Sequence, residues 1–407
     1  MASDLPQYPF ARPEKSYEPP AELKKLRDEG PTHKVQLFDG TPACIVTRHK
    51  EVCDLLASDK FSNDRYNKDK YPEIHEGTKK EGVKPTFVHM DDPTHAKHRR
   101  EMTESFFTKS ASENLAPQIE KITNSLLDKI VQTGCKNGPV DLVSQLAAPL
   151  NPKVILECIY KVPPADVEKL INSNTELGGT SGSATEAQGT DLHQFISDLV
   201  DERIKNPGKP KEDLVSKLVV EQVETGTFDK DDLVNLVYMI FVAGNTAITE
   251  SIALGVLSLL QHPDQLEILK KDPSAAEKVV EETLRYHTPS ALNSRRVSVQ
   301  DTKLGGHEIK ANTGIIGSVR SANRDERVYP NPDKFDMNRQ IDQNCNLAFG
   351  YGPHNCQGQW LSRLELVAVF RALFQKLPNL KLARDPAELE YTPATQNVGV
   401  TSLPVVF

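Results

Sequence analysis

Residues 230–261 constrain the fold more than any other stretch. Roughly thirty helical residues span about 45 Å at 1.5 Å each, and the centre of this run, LVNLVYMIFVAGNTAIT, is apolar on nearly every face. A helix with no polar side must be surrounded by apolar material. A bilayer would also serve, but Asp232, Asn235, Asn245 and Glu250 interrupt the run, and ionisable groups are costly in a membrane. The acidic DKDD at its start suits a helix N-terminus. The prediction is a long helix through the middle of a large, mainly α domain, and no membrane partner.

No Gly/Ser run or Pro tract divides the 407 residues, and no internal repeat is visible, so a single domain over 1–407 is expected. Further helices are predicted in AELKKLRDEG, HKEVCDLLAS, DPTHAKHRREMTESFF, NLAPQIEKITNSLLDKIV, DLVSQLAAPLNPKVILECIY and DLHQFISDLVDERIK. A hairpin is predicted in VQLFDGTPACIVTR, and short β segments near 305–314 and at the C-terminus. Residues 63–85, rich in charge, read as a mobile surface loop, with Lys79, Lys80 and Lys84 on a solvated face; GGTSGSATEAQG reads as a small-residue loop.

A net charge of −8 argues against nucleic acid as a partner. Six cysteines without C-x-x-C pairs suit a reducing, intracellular compartment. The Pro-rich opening MASDLPQYPFARPEKSYEPP matches no signal peptide, anchor or transit peptide. A soluble cytoplasmic monomer is expected.

The chemistry concentrates in FGYGPHNCQG, residues 349–358. Cys356 follows a Gly-rich loop and precedes the helical pattern GQWLSRLELVAVFRALFQ. A helix N-terminus favours thiolate over thiol. Gly350, Gly352 and Gly358 allow the backbone to pass close to something large and flat. Phe349 could cover that object and His354 could reach an anionic edge of it. A soft anionic sulfur in such a loop suits porphyrin iron. The alternative is a buried cysteine in an ordinary turn.

The spacing Phe-x-x-Gly-x-His-x-Cys-x-Gly resembles the haem-binding loop of the cytochromes P-450. The resemblance implies that fold: a large helical domain with a small β-rich part, the haem lying between the long helix and the cysteine loop. It also implies a b-type haem (heme b, iron-protoporphyrin IX) with Cys356 as the metal ligand. EETLRYH resembles the family's Glu-x-x-Arg pair, here Glu282 and Arg285, which buttresses the cysteine loop. His95, Arg99, Arg296 and His354 match positions that face the haem propionates, and Ala243, Gly244 and Asn245 match the bend of the long helix. SANRDE and the Pro-x-x-Phe turn agree with the same family.

More closely, FDG, KPTF, NGPVDLV, SLLQHPDQL, SANRDE and the terminal YTP and LPVVF resemble the fungal nitric oxide reductases. Those enzymes take a hydride directly from NADH or NADPH and convert two nitric oxide molecules to nitrous oxide. Oxygen-splitting relatives carry an acid and a Thr after the bend, where this chain has Thr246 and Ala247. Loss of a proton-delivering group typically costs 10²–10⁴-fold, roughly 3–5 kcal/mol. The reductases' Ser is kept as Ser290 and Arg65 is kept in the cofactor-entry loop. Ala247 replaces their Thr, Asn397 their Asp, and Asn63 (beside Asp64) their Lys. Thr246 or Thr249 could supply the missing hydroxyl.

Three readings follow. The chain is a nitric oxide reductase, or a monooxygenase-type relative that oxidises or nitrates a small organic molecule with a redox partner protein, or a haem protein that binds nitric oxide without turnover. Thr246, Asn245, Ser290 and Asn397 are the candidate catalytic residues.

Overall fold

A computed structural model describes residues 5–66, 69–75, 85–173, 186–292 and 294–407. Backbone contacts divide the chain into two compact units. The first comprises Met1–Arg100, Glu281–Cys356 and Tyr391–Val398; the second comprises Glu101–Val280, Gln357–Glu390 and Gly399–Phe407.

The first unit is built on a five-stranded sheet. Thr32–Gln36 and Pro42–Val46 form the expected antiparallel hairpin, with Gly40 at φ +83° in its turn. Pro42–Val46 then pairs in parallel with Gly314–Gly317, which pairs antiparallel with Arg295–Ser298, and that strand with Phe61–Ser62. The helix His49–Ala57 covers one side: Val52, Leu55 and Leu56 pack with Val46, Leu304, Ile309, Ile315 and Leu347. The helix Ala21–Glu29 ends at Gly30, as its sequence predicts.

The region read as a mobile loop is different. Within its described part Tyr71 and Ile74 are buried, and Arg65 forks onto Glu73 at 2.7 and 2.9 Å. Opposite charges that cancel at short range, with two apolar anchors, hold the chain to the unit. Lys79, Lys80 and Lys84 lie outside the described residues, as does most of GGTSGSATEAQG; its last residues already belong to the helix Glu186–Lys205.

The second unit is mostly helical. Its axis is the helix Lys230–Gln261, with the bounds expected from sequence. The acidic start is a capping box: Asp229 accepts from the Asp232 N–H at 2.8 Å, and Asp232 accepts from the Asp229 N–H at 3.2 Å. This helix is long and apolar enough to cross a membrane, yet 67% of its apolar window is buried within the protein, as in a core helix. A three-stranded sheet joins Val140–Asp141, Pro404–Val406 and Lys381–Leu382.

Candidate active site

The loop before Cys356 is tightly specified. Gly350 and Gly352 both sit at φ +72°, where side chains are strained. At Gly352 a Cβ would stand 2.7 Å from Leu56 O and 2.9 Å from Ala57 Cα, so the loop lies against the end of helix His49–Ala57 backbone to backbone. The Cys356 N–H donates to Phe349 O at 2.7 Å and closes the loop, leaving Cys356 exposed. Phe349, Gly350 and Gly358 are half-buried around it. Cys356 differs in this from its neighbours in type. Burial pushes the Cys44 thiol up to about 11 and those of Cys53 and Cys158 up to about 12, and it raises Cys345 as well. These four are held as thiols.

A network behind the loop fixes it. Arg285 forks onto Glu282 at 2.7 and 2.8 Å, both side chains fully buried. The remaining guanidinium hydrogens go to Asn323 O, Pro332 O and Lys334 O. Glu282 also accepts from the Asp336 N–H at 2.7 Å. Asn323 carries the constraint onward: its Oδ1 accepts from the Leu347 N–H at 2.9 Å, two residues before Phe349. Arg99 holds the far side, donating to Pro353 O, Asn355 O and Asn355 Oδ1 at 3.1, 2.7 and 2.9 Å.

The same unit gathers the four residues matched to propionate positions. The rings of His95 and His354 stack with centroids 3.9 Å apart. Between His354 and Arg296 stands Asn63. Its Oδ1 accepts from Arg296 at 2.8 Å, and its Nδ2 donates to Val88 O at 2.5 Å and to His354 Nδ1 at 3.3 Å. Arg296 and Val88 O together fix which way the amide points. His354 therefore carries its proton on Nε2, and that N–H meets no protein acceptor among the described residues. The side chain of Asn63 is thus turned into the unit.

The electrostatics agree. Burial, then Arg296 and the other cations, drives the His354 pKa down to about 2, and burial first lowers that of His95. The His354 ring is neutral, while His95 Nδ1 lies 3.1 Å from Asp92 Oδ1 and spends its donor there. Arg296, 4% exposed, donates among the described residues only to Asn63 and Arg295 O, never to a carboxylate. A buried guanidinium given only neutral acceptors fits an anion that the protein does not supply. An exposed thiol at the end of a rigid loop, with such a cation in the same unit, matches what a thiolate-bound haem with two carboxylates requires.

Arg65 has the opposite environment. Glu73 takes its charge and also meets Arg295 at 3.3 Å. Asn397 reaches the segment that follows Ser290, its Oδ1 accepting from the Leu292 N–H at 3.3 Å.

In the second unit, the helix Lys230–Gln261 is continuous through residues 243–247. Ala243 is exposed in mid-helix, and Met239, Ile240 and Ala247 on the same face are only half-buried. A core helix with one uncovered face leaves room for a ligand. Gly244 lies against Asn151, whose Oδ1 would be 3.1 Å from an added Cβ. Asn245 is buried with Oδ1 unbonded. Thr249 is not available as a substitute hydroxyl: it is buried and donates to Asn245 O at 2.8 Å. Thr246 is half-buried, and its hydroxyl has no partner among the described residues. Sequence reading missed Glu365, fully buried on the helix Gln359–Lys376, which accepts from Asn151 Nδ2 at 3.1 and 3.3 Å. Burial pushes its pKa up to about 8, so it stays protonated at neutral pH.

The family model for cytochrome P450 matches residues 177–388. Cytochrome P450 55A3 of Fusarium lichenicola is 42% identical over 404 residues, covering 98% of this chain and 97% of that protein. The chain belongs to the cytochrome P450 family. The vitamin D3 dihydroxylase of Streptomyces griseolus is 33% identical over 415 residues, covering 100% of this chain and 98% of that one. The crystal structure of GfsF superposes with a TM-score of 0.89 at 34% identity, covering 99% of this chain and 100% of that one. As a cytochrome P450 the protein is a haem-thiolate oxidoreductase that acts on a small molecule, with the mainly α fold of that family.

Proposed function

We propose that this cytochrome P450 reduces nitric oxide to nitrous oxide with a hydride taken directly from NADH or NADPH. The balance is two nitric oxide, one nicotinamide hydride and one proton giving nitrous oxide, water and the oxidised nicotinamide. Cys356 is the proposed iron ligand, with Arg296, His95, His354 and Arg99 on the side of the propionates. Bound through Cys356, a haem supplies a redox-active iron with an anionic sulfur donor.

The chain's own residues perform the rest. Arg296 and the His354 Nε2–H bind carboxylates, Arg99 holds the loop still, and Thr246 offers the one unpartnered hydroxyl of the stretch 243–249. The observation that carries the reading is the chemistry of that stretch: its residues 243–247 hold no titratable group, while the only hydroxyl besides Thr246, on Thr249, is committed to Asn245 O. Splitting dioxygen needs two delivered protons, whereas nitric oxide reduction by hydride needs one. The end-to-end likeness of sequence motifs to the fungal reductases, and Ser290, support it further.

A monooxygenase-type reaction on a small organic molecule, with a redox partner protein, is favoured by one observation. Arg65 is neutralised by Glu73 and Asn63 is turned inward, so neither presents a cation to dinucleotide phosphates.

Anaerobic mixing of the haem-loaded protein with nitric oxide and each reduced nicotinamide tests the proposal. One nitrous oxide per nicotinamide oxidised is expected. Absence of reaction with both cofactors at millimolar concentration would falsify it, and a Soret shift with an organic metabolite would then support the second reading.

A further inference from the structure

The N-terminal arm carries a buried arginine that no part of the chemistry above uses. Arg12 is 3% exposed. It donates to Ser16 O at 2.8 Å, to Thr392 O at 2.8 Å, to Thr392 Oγ1 at 3.0 Å and to Pro393 O at 3.0 Å. Its own N–H donates to Ala394 O at 3.1 Å. The start of the arm is tied to the strand Thr32–Gln36, Tyr8 N–H to Gln36 O at 2.8 Å and Gln36 N–H to Pro6 O at 3.0 Å. Desolvating a guanidinium is costly unless its fork is met; here Nη1 and Nη2 supply the four bonds, and three of the acceptors lie on two consecutive residues.

Those residues lead to Asn397. Because Thr392 Oγ1 accepts from Arg12, its hydroxyl hydrogen is directed elsewhere, and it donates to Asn397 O at 2.6 Å. Asn397 Oδ1 in turn accepts from the Leu292 N–H, two residues beyond Ser290. Its Nδ2 meets no protein acceptor among the described residues. We propose that Arg12 is a positioning residue: through Thr392 it sets the place of the Asn397 amide, so the N-terminal arm is part of the construction of the site. The inference rests on the reading of Asn397 as a site residue, and on no particular reaction.

The test is hydrogen exchange by mass spectrometry on the full-length, haem-loaded protein. Arg12→Ala, Thr392→Val and Asn397→Ala should each speed exchange in the peptide holding the Leu292 amide by at least about tenfold, since each loosens its part-buried bond to Asn397 Oδ1. Arg12→Lys keeps the charge without the fork and should fall between Arg12→Ala and the parent protein. The double variant Arg12→Ala/Asn397→Ala should exchange there no faster than Asn397→Ala alone; a merely stabilising arginine would add its effect in both backgrounds. Should Arg12→Ala not fold, Thr392→Val and Arg12→Lys decide alone. Faster exchange confined to residues 392–394, with the Leu292 peptide unchanged, overturns the proposal. Nitrous oxide formation is followed in the same variants: if the parent protein forms none, the nitric oxide reading falls while the exchange result still decides the role of Arg12.

Discussion

The loop that ends at Cys356 and the helix segment 243–249 treat their polar groups in opposite ways. Around the loop the network of Glu282, Arg285, Asn323 and Arg99 is closely satisfied, and the backbone is locked by positive-φ glycines. Along the helix segment, among the described residues, Asn245 Oδ1 is buried without a partner, the Thr246 hydroxyl has none, and the neighbouring Asn151 keeps a bare Oδ1 beside a protonated Glu365. A metal ligand, the role proposed for Cys356, must stay in one place, so over-determination suits it. Groups that meet a changing substrate, the role proposed for Thr246 and Asn245, need bonding capacity left open.

The contrast is broken most severely at Arg285. Replacing it with Ala leaves Glu282 charged and buried with its main partner removed, which costs about 3–5 kcal/mol. Chemical denaturation should show that loss together with loss of haem, and Arg285→Lys should recover little, because an ammonium cannot reproduce the fork. A variant that keeps its haem and its denaturation midpoint would show that the loop does not depend on this pair.

The same substitution made in both regions sharpens the comparison. Gly352→Ala puts a side chain at φ +72° and 2.7 Å from a helix carbonyl that cannot move alone. Positive φ costs about 1–2 kcal/mol and the overlap adds to it, so a loss above about 2 kcal/mol is expected. Gly244→Ala meets only the Asn151 side chain, its Oδ1 at 3.1 Å, Nδ2 at 3.3 Å and Cγ at 3.4 Å, and gains up to about 1 kcal/mol of helix propensity. Thermal melts should find it near neutral. Equal losses at the two sites would erase the distinction.

Much of this division was legible in the chain, for reasons that differ by residue. The cysteine loop and the Glu282–Arg285 pair are signals of short spacing, and the helix 230–261 announces itself by being apolar all round. The partners of Asn63 were not legible, because an alignment position says nothing about which way an amide turns. Residues 63–75 looked mobile because charges were counted as solvated; Arg65 and Glu73 cancel instead, and Tyr71 and Ile74 anchor the chain. Asn151 with Glu365, and Arg12 with Thr392, are pairs 214 and 380 residues apart. Such contacts leave no local periodicity to read.

Glu365 gives the helix side a pH signature. Its ordinary value is 4.5 and burial lifts it to about 8 in the folded protein. Between those values the folded state holds a proton that the unfolded chain has released. Stability must therefore fall as pH rises from about 4.5 to about 8, by at most about 1.4 kcal/mol per pH unit from this group. Glu365→Gln keeps an acceptor for Asn151 and removes the proton, so its stability should vary less steeply with pH over that window. Parallel curves for the two proteins would mean that Glu365 is ionised when folded.

The smallest structural effect belongs to Thr246. Its hydroxyl bonds to nothing among the described residues, so Thr246→Ala should change stability by no more than about 0.5 kcal/mol. That quietness makes it informative. With packing unchanged, any fall in nitrous oxide formation reports the hydroxyl itself, and loss of a group that passes a proton typically costs 10²–10⁴-fold. Thr246→Ser should restore the rate, because it returns the hydroxyl without the methyl. If Thr246→Ala turns over as fast as the parent protein, the proton arrives by another route, and the open bonding capacity of Asn245 becomes the next group to remove.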